Sequence, residues 1–140
     1  MTAASEVAAL QTVLAAEHAV VYGYGVAGAH LVGAEQSRAT RGWERHRSDR
    51  DAVEAVIAAR SATPEPPRAA YALPFPVTNA REARSLLALL EDRLAAVWAD
   101  AVAALNGELR TTAADGLTEA ALAALAWGAE TVAFPGLPER

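Results

Sequence analysis

Apolar residues recur at three- and four-residue steps in four separate stretches of the chain, the spacing of one face of an α-helix. The first stretch, about Ser5 to Leu31, carries Leu10, Val13, Leu14, Val20, Val21, Tyr24 and Leu31 on the repeat. The second, about Gln36 to Arg60, aligns Trp43, His46, Val53, Val56 and Ile57. The third, about Ala80 to Leu105, carries Leu86, Leu87, Leu90, Leu94, Val97, Trp98 and Val102, and Asn79 with Glu82 forms a capping-box pattern at its start. The fourth, about Glu108 to Glu130, carries Leu109, Leu117, Ala121, Ala124, Leu125 and Trp127, and Asp115-Gly116 within it is a candidate break.

The links between these stretches set the topology. Only a few residues around Gly33 separate the first two helices, and Asn106-Gly107 separates the last two, so each pair forms an antiparallel hairpin. Between the hairpins lies "SATPEPPRAAYALPFPVTN", residues 61–79, with five prolines. Proline has no amide hydrogen to give a helix, so this segment crosses the bundle in extended form, and Tyr71, Leu73 and Phe75 pack on the helices. The tail "VAFPGLPER" offers Phe134 and Leu137 for docking in the same way. Hairpin, long proline-rich crossover and hairpin together predict an all-α, ferritin-like four-helix bundle, with residues 1–140 forming a single domain.

A shift of 74 residues lays the third helix on the first. Glu17 falls on Glu91, Val13 on Leu87, Val20 on Leu94, Tyr24 on Trp98 and Leu31 on Leu105. Both glutamates lie on their helix's apolar stripe. A bare buried charge costs several kcal/mol, on the order set by desolvation, so each must be protonated, paired with a cation or bound to a metal. The second helix offers His46 on its apolar stripe and Asp49 three residues on, which shares that face.

Dimetal carboxylate bundles need a glutamate from each of two helices and a Glu-x-x-His motif from each of the other two. Glu17 and Glu91 meet the first requirement. Trp43, rather than a glutamate, precedes His46 by three, and no histidine follows His46. The 74-residue shift sets Ala120 against His46 and Ala123 against Asp49. Three arrangements answer to this pattern. The favoured one is a metal-free polar network in which His46 and Arg47 or Arg50 neutralise the glutamates. The second is one metal ion, iron, manganese or zinc, held by Glu17, His46, Glu91 and Asp49, for which the mixed nitrogen and oxygen donors are suited. The third is a ligand or partner pocket lined by Tyr22, Tyr24, Trp43 and Trp98. Neither a catalytic residue nor a nucleophile constellation is assigned, and no cofactor is the favoured expectation.

His18 lies about 100° around the helix from Glu17, which predicts a solvent-facing or capping role. His30 sits near the C-terminal end of the first helix. Ala15, Ala19, Gly23 and Ala27 form a small-residue ladder suited to close helix contact, within the bundle or across a homodimer. "GYGVAG" has the letters of a dinucleotide fingerprint but lies inside a helix and follows no strand.

Composition narrows the classes further. The chain has 140 residues, a net charge of -5, no cysteine, and arginine at all twelve of its basic positions. The acidic balance disfavours nucleic acid. The one basic cluster, Arg38 to Arg50, is interrupted by Glu44 and Asp49 and reads as a solvated face. The absence of cysteine removes disulfides and thiolate chemistry and fits a cytoplasmic protein. "MTAASEVAALQTVL" has no positive start before its apolar part, and charged residues interrupt every long apolar run, so neither a signal peptide nor a membrane span is expected.

"LQTVLAAEHAVVYGYGVAGAHL", "HRSDRDAVEAVIAARSATP", "YALPFPVTNAREA", "LEDRLAAVWADAVAA" and "AFPGLPE" together resemble an alanine-rich bacterial ferritin-like domain family of unknown function, from about Leu10 to Glu139. The resemblance implies a ferritin-like four-helix bundle and no established activity. The metal binding of the wider superfamily maps only onto Glu17, His46 and Glu91.

Overall fold

The computed structural model describes residues 2–137. Four helices run in order: α1 (Ala3–Gly28), α2 (Gly33–Ala59), α3 (Ala80–Ala104) and α4 (Gly107–Ala126), and no strand occurs among the described residues. The fold is an all-α four-helix bundle. Local chemistry sets the helix starts. Thr2 and Ser5 form a reciprocal capping box on α1. The Asn79 side chain accepts from the Glu82 amide at 2.9 Å, while the Glu82 carboxylate reaches back one residue further than a capping box, to the amide and hydroxyl of Thr78. The two short links turn at Gly33 and Gly107, with φ of 60° and 58°, a left-handed conformation that glycine adopts without a Cβ clash.

Short links make α1 and α2 antiparallel, and likewise α3 and α4. Contacts orient the hairpins against each other. Gly23 meets Leu90, whereas Leu10 shares a cleft with Trp98 and Leu105, so α3 descends as α1 rises. The packed neighbours are α2 with α1, α1 with α3, and α3 with α4. Among the described residues α2 and α4 make no close backbone approach, which leaves the bundle open along that seam.

The segment between α2 and α3 lies along α1. Gln11 donates to the Thr63 carbonyl at 2.8 Å and accepts from the Glu65 amide at 2.9 Å, and Tyr71 stacks beside Tyr22 with ring centres 5.5 Å apart. From Tyr71 to Thr78 alternate residues are half-buried and exposed; Leu73, Phe75 and Val77 turn toward the core. This is the side-chain alternation of extended backbone.

The 74-residue correspondence extends beyond α1 and α3. Glu17 and Glu91 are both fully buried, as are Val13 and Leu87. Gly33 matches Gly107 in sequence offset and in φ. Gly42 faces the Tyr24 ring, and Gly116, 74 residues on, faces the Trp98 ring. The second hairpin thus repeats the packing of the first, including glycine against aromatic.

Several expectations are corrected. α4 runs without a break through Asp115-Gly116, because Gly116 serves as a packing site for Trp98, and it ends at Ala126 rather than near Glu130. Leu125 is largely exposed and does not join the core. Phe134 and Leu137 point to solvent; the tail instead meets α3 through Gly136, whose missing side chain makes room for the Ala95 carbonyl and the Ala99 methyl. No described helix is long and apolar enough to cross a membrane.

Candidate functional site

Glu17 of α1, His46 of α2 and Glu91 of α3 converge in the core; the two glutamates are fully buried and His46 nearly so. His46 sits between them. Its Nδ1 lies 2.8 Å from Glu17 Oε2 and its Nε2 lies 2.7 Å from Glu91 Oε1. A neutral imidazole can donate from only one nitrogen, so with both carboxylates ionised the two contacts are those of an imidazolium. Burial pulls the His46 pKa down, but the hydrogen bonds it donates to Glu17 and Glu91, with their charges, outweigh it and push the pKa up to about 9.

One oxygen of Glu91 collects three donors. Besides His46, Tyr24 Oη donates to Oε1 at 2.6 Å and Arg45 Nη2 donates at 3.3 Å. Trp127 Nε1 in turn donates to Tyr24 Oη at 3.0 Å. Burial, the Glu91 charge and the hydrogen bond to it all push the Tyr24 hydroxyl pKa up, so it stays protonated as a donor. Two carboxylates, one imidazolium and one guanidinium balance to zero charge. The balance is uneven in space, because Glu17 Oε1 and Glu91 Oε2 are buried with no hydrogen-bond partner. Burial pushes the Glu17 pKa up, against the hydrogen bond from His46.

Asp49 is half-buried one turn beyond His46. It offers an oxygen that lies, with donor atoms of Glu17 and His46, within a mutual separation of 4.8 Å. Burial raises the Asp49 pKa, the His46 charge opposes the rise, and Glu119 across the seam adds to it.

The chain matches a recognised family over nearly its whole length. The model of a domain of unknown function, DUF4439, matches residues 9–139. The chain belongs to the DUF4439 family. It is also similar to a conserved hypothetical protein, rv2844, from Mycobacterium tuberculosis: the crystal structure of that protein superposes with a TM-score of 0.86 at 33% identity, covering 91% of this chain and 97% of that one. No curated protein matches the chain.

In this DUF4439 domain the four residues singled out by pattern, Glu17, His46, Glu91 and Asp49, are brought together, with Glu91 on the opposite side of the His46 ring from Glu17. The arginine is a correction. Arg45 reaches Glu91, whereas Arg47 stacks on Trp43 at 4.3 Å and Arg50 pairs with Asp51. The basic stretch is largely the solvated face expected, with Arg38, Arg41 and Arg47 exposed, and Arg38 adds a stack on Trp127 and a bond to the Ala126 carbonyl.

His18 is also corrected. It is buried, and its Nε2 lies 2.9 Å from the Glu65 carbonyl, a contact that requires the proton on Nε2. The connection along α1 covers the helix side that periodicity leaves exposed. The four aromatic residues do not share one pocket. Tyr22 faces the connection, Tyr24 and Trp43 both line a shallow hollow beside Gly28 and Ala39 while the Tyr24 hydroxyl joins the buried cluster, and Trp98 floors the α2–α4 cleft. In the small-residue ladder, Gly23 faces Leu90 of α3 within the bundle, while Ala15 is exposed.

Proposed function

We propose that this DUF4439 protein is a ferritin-like bundle, its proline-rich segment serving as the crossover, in which a metal-free ion cluster holds the place of a dimetal centre and acts as an internal brace. The observation that carries this is His46 spanning Glu17 and Glu91 with both ring nitrogens. A histidine used in that way ties three helices together and has no free nitrogen for a metal. The donor set also fails the requirement for two metals, since the positions equivalent to His46 and Asp49 in the second hairpin are Ala120 and Ala123.

Metal analysis tests the proposal. Protein purified without chelator, then incubated with iron, manganese and zinc in turn, is expected to hold no stoichiometric ion and to show no rise in Tm. One ion per chain, lost in both Glu17→Ala and His46→Ala, would overturn the brace.

A single-ion site is the second reading, favoured by the mutual 4.8 Å spacing of donors on Glu17, His46 and Asp49 and by the free Oε1 of Glu17. Iron, manganese or zinc would suit these three donors, with His46 giving up its bond to Glu17. Glu91 would remain on Nε2 as the partner that orients the ring.

The protein is further proposed to act as a cytoplasmic homodimer without nucleic acid. Leu122 and Leu125 on α4 and Phe134 beyond it are exposed apolar side chains that a second copy would cover. Light scattering after size exclusion is expected to give twice the chain mass, reduced toward one chain in Leu122→Glu; a monomeric parent protein would overturn the dimer.

A further inference from the structure

The open seam between α2 and α4 is a cleft of about 300 Å³. Its floor is apolar: Leu10, Val53 and Leu105 surround the indole of Trp98, itself wedged against Gly116. Its walls carry only one sign of charge. Asp49 stands on the α2 side, and Asp115 and Glu119, four residues apart on one face of α4, stand opposite. No arginine lines it, and the nearby guanidiniums are engaged elsewhere, Arg45 on Glu91 and Arg50 on Asp51. Glu17, which does not itself line the cleft, lies beside Asp49, fully buried with its Oε1 unpartnered.

We infer that this cleft binds an organic ammonium ion bearing an apolar chain or ring, with the carboxylates of Asp49, Asp115 and Glu119 holding the cation and the Trp98 floor covering the apolar body. The volume is at the lower end of small-molecule sites, and such sites pair an apolar lining with a few placed polar groups. A bare metal ion would use the carboxylates and leave the apolar floor wet. A neutral apolar compound would use the floor and leave three like-charged carboxylates in one cleft without a cation. An amine with an apolar body answers both features. This inference rests on the metal-free reading, because a single ion on Glu17, His46 and Asp49 would occupy the Asp49 carboxylate.

Three probes that share one body and differ in charge test it: 4-phenylbutylamine, 4-phenylbutanol and 4-phenylbutyrate, titrated by calorimetry at neutral pH against the full chain. The expected result is 1:1 binding of the amine, at least tenfold tighter than the alcohol, with none of the acid. Asp49→Asn with Glu119→Gln, isosteric changes outside the packed core, are expected to weaken the amine at least tenfold and leave the alcohol unchanged. Ala52→Phe, at an exposed position on the cleft wall, is expected to block both. Equal binding of alcohol and amine, amine binding indifferent to these substitutions, no amine binding at all, or a Tm rise with Mn²⁺ or Zn²⁺ and none with the amine would each overturn the inference.

Discussion

The ring of Tyr24 occupies the space that a side chain at Gly42 would need: a Cβ built there collides with Cε1 and approaches Cζ within 2.9 Å. α2 can lie over the Tyr24 ring only because position 42 is bare, and this seating lets the Tyr24 hydroxyl reach Glu91. Gly116 stands in the same relation to Trp98. Gly42→Ala and Gly116→Ala are each expected to destabilise by about 1–3 kcal/mol, the usual cost of overpacking. Gly25→Ala is the control. It is helical, exposed and has nothing within reach of a new methyl, so it is expected to stabilise by about 0.5–1 kcal/mol. Urea denaturation of the three variants checks the opposite signs.

Tyr24→Phe removes one hydroxyl and disturbs two groups. Glu91 Oε1 loses a charge-assisted donor, and buried Trp127 Nε1 loses its acceptor. A loss of about 1–3 kcal/mol is expected, since a buried polar group left unpaired costs its full desolvation. Trp127 fluorescence, followed in the Trp43→Phe/Trp98→Phe background, is expected to shift in Tyr24→Phe; an unchanged spectrum and stability would show that the hydroxyl carries no structural bond.

Glu17, Glu91 and His46 could be read from the chain because a polar residue on a helix's apolar stripe has nowhere to point but inward. Their partners could not be read so easily. Arg45 is one position off the stripe and reaches Glu91 only through the length of its side chain. The Tyr24 ring belongs to the core pattern, but its hydroxyl finds a carboxylate 67 residues away, which periodicity does not encode. His18 was misplaced for a different reason: helical spacing gives the angle of a side chain and says nothing of a nonhelical segment laid over it, here the Glu65 carbonyl. The four helices themselves are legible almost to their ends because their links are short and their caps local, while the candidate break at Asp115-Gly116 is a packing glycine inside a continuous helix.

The imidazolium in the core makes stability depend on pH. The His46 pKa is raised from 6.5 to about 9 on folding, so its contribution is fully present below about 6.5 and is lost as pH climbs through about 9. Glu17, also raised on folding, acts in the same direction: its contribution is greatest at acid pH and falls as the carboxyl ionises. Unfolding free energy is therefore expected to decline between about pH 6.5 and 9, and the decline is expected to flatten in His46→Gln, which keeps a polar side chain but does not titrate. Denaturant midpoints across that range are the check; a parent protein with a flat profile would show that His46 is neutral in the fold.

The last prediction separates the cost of breaking the cluster from its net worth. His46→Leu alone strands two carboxylates in the core, Glu17 with an already unpartnered oxygen and Glu91 with only Tyr24 and Arg45. Breaking a buried ion pair from one side costs about 3–5 kcal/mol, so the single variant is expected to be severely destabilised. Glu17→Met, His46→Leu and Glu91→Met combined remove every charge that His46 balances and keep the volume close to that of the parent. Well-packed apolar replacements of buried ion pairs are often neutral or stabilising, so the triple variant is expected to recover most of the loss. Recovery would show that the cluster specifies which helices pack together more than it holds them. Failure to recover, with the triple variant as unstable as the single, would show that the charges contribute net stability through Arg45 and Tyr24. Guanidinium titrations of the two variants, read beside the metal content of the parent protein, decide between these outcomes.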